Sequence, residues 1–317
     1  MKLGLLLPGQ GAQTVGMGID FAQSSAAAQS IFAQADEILG LSLSSLCFNG
    51  PLEELTRTDI AQPAIYTCSL AALAALEEKM GKPLEPSMAA GLSLGEYTAL
   101  TAANALSFAD GLRLVRLRGQ AMQEASEQLD SSMTSVLGLE REPLEAICDS
   151  IQKEMGLICQ VANLNSPGQI VVSGQTAALD LFDVRAKDAG ARRAIRLSVA
   201  GAFHSEVMRP AAAKLDLALE SVEMHEPRCP VWQNASAKAS SDPSILRENL
   251  SAQLCAPVLW ADSFAQMSAE MGDEGAFLEP APGRVLAGLA RKIDRNSKVL
   301  SLHQADAIPE LLAIFQS

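Results

Sequence analysis

The sequence predicts an α/β protein in which a parallel sheet, covered by helices on both faces, is interrupted by a smaller inserted unit. Three observations lead there. Toward both ends of the chain, short apolar runs that stop at turn residues alternate with longer helical patterns, as a buried parallel sheet requires. In the middle the order changes to β-α-β-β-α-β, the ferredoxin-like plan. Hydrophobic residues make up 48% of the 317 with only 4% aromatics, which gives an Ala/Leu/Val-rich interior of the kind α/β proteins have.

LGLLL (3–7) reads as a buried strand that ends at the turn cluster PGQG. Helical patterns follow over 28–39 and 63–80, the second carrying AIYTCSLAALAALEEKM. SMAAGL (87–92) is a short buried strand, a helix begins near Gly95, and another covers 107–127. The inserted unit starts with the strand SMTSVLGL (132–139) and the amphipathic helix REPLEAICDSIQKEMG (141–156). LICQVANL (157–164) and QIVVSG (169–174) are strands joined by the turn NSPG. The helix AALDLFDVRAKDAG (177–190) and the strand RAIRLSV (193–199) complete it. The division is therefore 1–128 with 199–317 as the main unit and 129–198 as the insert.

A formal charge of −13 argues against nucleic acid or an anionic membrane as a partner. The six cysteines, at 47, 68, 148, 159, 229 and 255, show no C-x-x-C spacing; that suits reduced thiols in a cytoplasmic protein and predicts no metal site. The N-terminal apolar run has five residues and ends at Pro8, too short for a signal core, and no later segment reaches the roughly 18 apolar residues of a membrane span. No long heptad stands out, so a monomer is expected.

GLSLG (91–95) fits G-x-S-x-G between a strand and a helix, the nucleophile elbow that lifts a serine hydroxyl clear of a sheet. The bland alternative is a tight turn with a structural serine. A nucleophilic Ser93 needs a base, and histidine is the usual one. Of three histidines, His225 lies among charges before a proline and His303 in a polar tail, whereas His204 in VAGAFHSEVM follows a strand beside small residues. On the helix 107–127, Gly111, Leu114, Val115, Ala121, Met122 and Ala125 fall within about 60° of Arg118, with Arg113, Arg116, Gln120, Gln123 and Glu127 opposite. Arg118 is thus a charge on an apolar face and needs a partner, either an internal Asp or Glu or a substrate carboxylate. LLLPGQGAQTVGMG (5–18) breaks G-x-G-x-x-G at Thr14 and lacks G-K-[ST], so its loop reads as a source of backbone N–H donors for an oxyanion, with no nucleotide role.

Six segments, LPGQGAQTVGMG, AGLSLGEYTALTAA, RLVRLRGQAMQEA, NLNSPGQIVVSG, GAFHSEVMRPAAAKL and QLCAPVLWADS, occur in the order and approximate spacing of malonyl-CoA:acyl-carrier-protein transacylases. The chain resembles that family over almost its full length. The resemblance implies an α/β-hydrolase-like core with an inserted ferredoxin-like subdomain, and malonyl transfer from coenzyme A to a carrier protein in fatty-acid synthesis. It implies Ser93 as acylated nucleophile, His204 as base, and Arg118 as partner of the malonyl carboxylate. It further implies the N–H groups of Gln10 and Leu94 as oxyanion donors, the main-chain carbonyl of Gln253 as the group orienting the histidine, and Asn163 as a cleft residue. No cofactor is implied, since the coenzyme A thioester is a substrate. The chain departs from the family at Leu92, where a histidine is usual; this bears on acyl selectivity. At Pro280 and Ala281 an apolar residue and a glycine are more common, and a turn is affected.

Arg192, Arg193 and Arg196 with Lys187, and Arg113 with Arg116, are candidates for phosphate and carrier contacts, Arg193 foremost, against the alternative of an ordinary solvated face. Rival readings are an acyltransferase or editing hydrolase serving a polyketide synthase, and a silent carrier-binding scaffold. Editing hydrolases tend to lose the arginine that this chain keeps, and a scaffold has no need of Ser93, His204 and Arg118 together.

Overall fold

The computed structural model describes residues 2–316. Its strands are β1 (Leu3–Leu7), β2 (Met88–Gly91), β3 (Ser131–Leu137), β4 (Cys159–Ser166), β5 (Gln169–Gln175), β6 (Arg193–Arg196), β7 (Val231–Trp232), β8 (Ala239–Ser240), β9 (Ala276–Pro280) and β10 (Val299–Leu302). Six form one sheet in the order β10-β9-β1-β2-β7-β8, parallel throughout except for the β7/β8 edge. The other four form an antiparallel sheet in the order β4-β5-β3-β6.

The central strands are apolar on both faces, because helices cover both. With side chains alternating along each strand, Leu5, Leu7 and Ala89 enter the larger core, which contains Tyr66, Tyr97 and Leu100. Leu6, Met88 and Ala90 face the opposite way onto Trp260, Phe264 and Leu286. The antiparallel sheet has its own core, in which Val136, Ile170 and Val172 pack on Leu144, Ile151, Leu179 and Phe182 from the helices Arg141–Met155 and Thr176–Asp188.

Two boundaries differ from the sequence reading for identifiable reasons. The helix expected from residue 63 spans Thr58–Met80, with Pro63 inside it. Pro63 has no N–H, so the carbonyl of Asp59 lacks its intrahelical donor. The Arg116 guanidinium supplies one instead, and it also pairs with the Asp59 carboxylate at 3.0 Å. This helix is long and apolar enough to cross a membrane, yet it is packed inside the protein. β6 stops at Arg196 and not at 199, since residues 197–200 leave the sheet to form the wall of a cleft.

The ends of β1 and β2 meet in the serine turn, and two glycines make the approach possible. A Cβ on Gly91 would lie 1.9 Å from backbone atoms of Gly95, and one on Gly95 would lie 2.1 Å from the Leu7 carbonyl oxygen. Neither obstacle is a side chain that can swing away. Gly91→Ala is therefore expected to destabilise the protein by about 1–3 kcal/mol or more in urea unfolding, as overpacking does. Wild-type stability in this variant would mean that the turn is looser than described.

Candidate active site

The site lies beyond the carboxyl ends of β1 and β2, where open parallel sheets place ligands. Ser93 sits on the turn between β2 and the helix Gly95–Ala102 with φ 53°, a left-handed conformation that costs a non-glycine residue about 1–3 kcal/mol. The turn is fixed on both sides of the strained residue. The Ser93 N–H donates to Asn234 Oδ1 at 2.6 Å, and the Ser93 carbonyl accepts from Gln253 Nε2 at 3.0 Å. The Asn234 amide also donates to the Gly91 carbonyl at 2.8 Å.

His204, also left-handed at φ 56°, brings Nε2 to 2.8 Å from Ser93 Oγ. Its Nδ1 lies 2.9 Å from the main-chain carbonyl of Gln253, at the end of the helix Pro243–Gln253. A carbonyl can only accept, so Nδ1 carries the proton and Nε2 keeps its lone pair toward the serine. Burial, reinforced by the Arg118 charge, pushes the imidazole down from 6.5 to about 4. It is therefore neutral, the form able to take a proton, across the physiological range.

Arg118 is 1% exposed, on the buried face of the helix Phe108–Glu127. Its partners are neutral: Nη1 donates to Gln62 Oε1 at 2.8 Å, and Nη2 donates to Gln253 Oε1 and Ser93 Oγ, both at 2.9 Å. Among the described residues no carboxylate is within ion-pair distance of it. Tyr97 offers its ring face, 5.6 Å away. Of the two partners that sequence allowed, an internal acid is thus absent from direct contact. Burial lowers the guanidinium from its usual value, while Tyr97 and Glu96 oppose that shift.

A cavity of about 840 Å³ opens in front of Ser93 and His204. Leu92, Gln10 and Asn163 line it, and Met122, Met133, Val171, Leu197 and Phe203 give it apolar walls. Arg118 lies behind the serine hydroxyl. Among the described residues the backbone N–H groups of Gln10 and Leu94 have no hydrogen-bond acceptor. Gln10 is held by its side chain, whose Nε2 donates to Thr58 Oγ1 at 3.1 Å. His225 and His303 lie elsewhere, the latter against Arg284.

The expected cationic contacts are only partly available. Arg193 is exposed on the edge strand β6 and does not line the cavity. Arg196 pairs with Asp183 at 2.8 Å and Asp180 at 3.0 Å, Arg113 with Asp110 at 3.4 Å, and Arg116 with Asp59. Arg116 is held by a buried acid, whereas the Arg113 and Arg196 pairs are partly exposed and worth less; one-dimensional charge counting registers none of them. No group of three His, Cys, Asp or Glu side chains suited to a metal occurs among the described residues.

Sequence reasoning missed Glu96, Asn234 and Gln62. Glu96 is fully buried beneath the serine turn, and burial raises its carboxyl to about 7. A signal existed: the helix GEYTALTA is apolar or small nearly all round, and such a helix is buried, so its one acid must be buried and partnered too.

An elbow serine, a neutral imidazole aimed at it and an apolar cavity beside a sheet of this kind suit acyl chemistry through a serine, with transfer to a thiol or to water both open to the geometry. Residues 5–309 match the acyl transferase domain family. A malonyl CoA-acyl carrier protein transacylase of Bacillus subtilis is 42% identical over 307 residues, covering 97% of this chain and 95% of that protein. The acyl-carrier-protein S-malonyltransferase of Bartonella henselae superposes with a TM-score of 0.94 at 36% identity, each chain covered fully. A malonyl-transacylase solved in complex with its type II polyketide acyl-carrier protein superposes at 0.93 with 35% identity, over 99% of this chain and all of that one. The chain belongs to the malonyl-CoA:acyl-carrier-protein transacylase family.

If His204 takes the Ser93 proton, its neutral state sets the acid limit of Ser93 acylation. As pH falls, that capacity is lost only when His204 protonates, near pH 4 and not near the ordinary 6.5. Stopped-flow acylation by malonyl-CoA should therefore keep its rate to below pH 6. An inflection at about 6.5 would show the imidazole to be solvated.

Proposed function

We propose that this chain transfers malonyl groups from malonyl-CoA to the phosphopantetheine thiol of an acyl carrier protein in fatty-acid synthesis. The observation that carries the reading is the Arg118 guanidinium, buried behind the nucleophile with only neutral partners. A free carboxylate on the acyl group would supply a countercharge in direct contact, which Glu96, one amide away, does not, taking over the hydrogen bond now made to Ser93 Oγ.

In the proposed two-step reaction, Ser93 Oγ loses its proton to His204 Nε2 and attacks the thioester carbonyl. The oxyanion rests on the N–H groups of Gln10 and Leu94, whose lack of other partners supports that role. Collapse breaks the carbon–sulfur bond, and the coenzyme A sulfur leaves with the proton from His204. The carrier's thiol then gives its proton to His204, attacks the malonyl-serine ester, and regenerates the Ser93 hydroxyl. Gln253 holds the imidazole in the required tautomer through its carbonyl. Asn163 and Leu92 face the acyl and pantetheine path, with Leu92 an apolar wall where a histidine is usual.

The same reading treats residues 1–128 and 199–317 as an α/β-hydrolase-like catalytic unit and 129–198 as a ferredoxin-like subdomain. The separate cores and the strand order β4-β5-β3-β6 support it. For the carrier, Arg193 gives way to a neighbouring surface. Arg192, Arg291, Lys292 and Arg295 line a groove at the end of the β4/β5 hairpin, and none is in an ion pair among the described residues. Ser166 there is three residues from Asn163, about 10 Å along the strand, so the groove lies a short strand segment away from the cavity. Four unpaired cations in a chain of charge −13 suit an acidic partner.

Conversion of holo carrier protein to malonyl carrier, followed by mass, tests the function. Arg118→Ala should lower malonyl-CoA kcat/KM by roughly thirtyfold or more relative to acetyl-CoA, the loss expected for one charge-assisted contact. An unchanged malonyl-to-acetyl ratio would remove the clamp.

A further inference from the structure

The carboxylate of Glu96 has no part in the steps above, yet it touches Asn234 and Gln253, the two residues that hold the serine turn. Glu96 is fully buried. Its Oε2 accepts from the Asn234 N–H and from Gln253 Nε2, both at 2.9 Å, and its Oε1 has no partner. The Gln253 amide is therefore held at both ends. Its nitrogen donates to Glu96 and to the Ser93 carbonyl, while its oxygen accepts from Arg118 Nη2.

An amide can be turned end for end at little steric cost, and only its neighbours decide which way it faces. Turned over, Gln253 would put N–H groups against the N–H groups of Arg118 and an oxygen against the Glu96 oxygen. The guanidinium would lose one of its two amide acceptors, leaving only Gln62 and the serine hydroxyl. We infer that Glu96 is a positioning residue for the acyl-carboxylate site: by accepting from the Gln253 amide it fixes which end of that amide faces Arg118, and so aims the guanidinium.

Glu96 is an acceptor that cannot turn over. Its Oε2 accepts whether or not the unpartnered Oε1 carries a proton, and the Asn234 backbone N–H, fixed by the fold, holds an acceptor at that position. Its effect reaches Arg118 through one amide, and His204 through the same residue's main chain. This role rests on the reading of Arg118 as the carboxylate clamp.

The test compares Ser93 acylation by malonyl-CoA and acetyl-CoA in single turnovers of the full chain. Glu96→Gln keeps an oxygen at the Oε2 position for both donors, with its nitrogen at the unpartnered one. Glu96→Met fills similar space and accepts nothing. The expected result is a malonyl-to-acetyl ratio for Glu96→Met reduced about tenfold or more, through the malonyl KM, and restored to within about threefold of wild type by Glu96→Gln. A Glu96→Met protein that keeps the ratio overturns the proposal, as does one losing both substrates equally, since that is a collapsed serine turn. Glu96→Gln behaving like Glu96→Met would also overturn the acceptor role. Should Glu96→Met fail to fold, Gln253→Met reads the same link, because it removes the amide and leaves the carbonyl to His204; an unchanged ratio there is equally fatal. Arg118→Ala in parallel keeps the two readings apart. If the clamp itself is wrong, that variant holds the malonyl preference, whereas if only the role of Glu96 is wrong, it loses it.

Discussion

A guanidinium held in the interior by neutral oxygens alone sets the terms for everything near it. Burial first, and the Arg118 charge second, keep the imidazole 2.8 Å from Ser93 Oγ neutral, while Arg118 stays charged. The serine hydroxyl lies between them, accepting from Arg118 Nη2 and donating to His204 Nε2. Its proton thus points at the imidazole before any substrate arrives, and a backbone carbonyl, in place of an acidic side chain, fixes the tautomer.

The scaffold supplies this geometry through rigid elements. β1 and β2, buried on both faces, fix the base of the serine turn, and the glycines at 91 and 95 bring helix, strand and loop within contact. The strain at Ser93 is balanced by hydrogen bonds on either side of it, from residues more than 140 positions away in the chain. Such long-range bonds tie the first strand pair of the main sheet to the segments that follow the inserted unit. The cavity wall comes partly from that unit, through Asn163 and Val171, so the antiparallel sheet shapes the site without supplying its reacting atoms.

Much of this was legible in the chain. G-x-S-x-G between a strand and a helix located Ser93, a count of three histidines located His204, and the 100° spacing put Arg118 on a buried face. These are local or periodic signals, and helical periodicity survives whatever the tertiary structure does. Asn234 and Gln62 were not legible, because a polar residue in a helix or loop looks solvated until its neighbours are known, and Glu96 carried only the weak signal of the apolar helix around it. An acid at a helix start also has an ordinary explanation in the helix dipole. Charge counting failed for Arg116 and Arg196 for the same reason, since their partners lie on other elements. Pro63 shows the reverse case: a residue that reads as a helix boundary sits within the helix, and an arginine from the neighbouring helix supplies the donor it lacks.

The central claim is that Ser93 carries the acyl group between two thiols. Intact-protein mass spectrometry after brief mixing with malonyl-CoA, with no carrier present, addresses it most directly. The account predicts one malonyl adduct, mapped to Ser93, absent in Ser93→Ala, and discharged when holo carrier protein is added. Transfer to the carrier at full rate with no adduct at any time would mean direct passage from one thiol to the other, and would contradict the account.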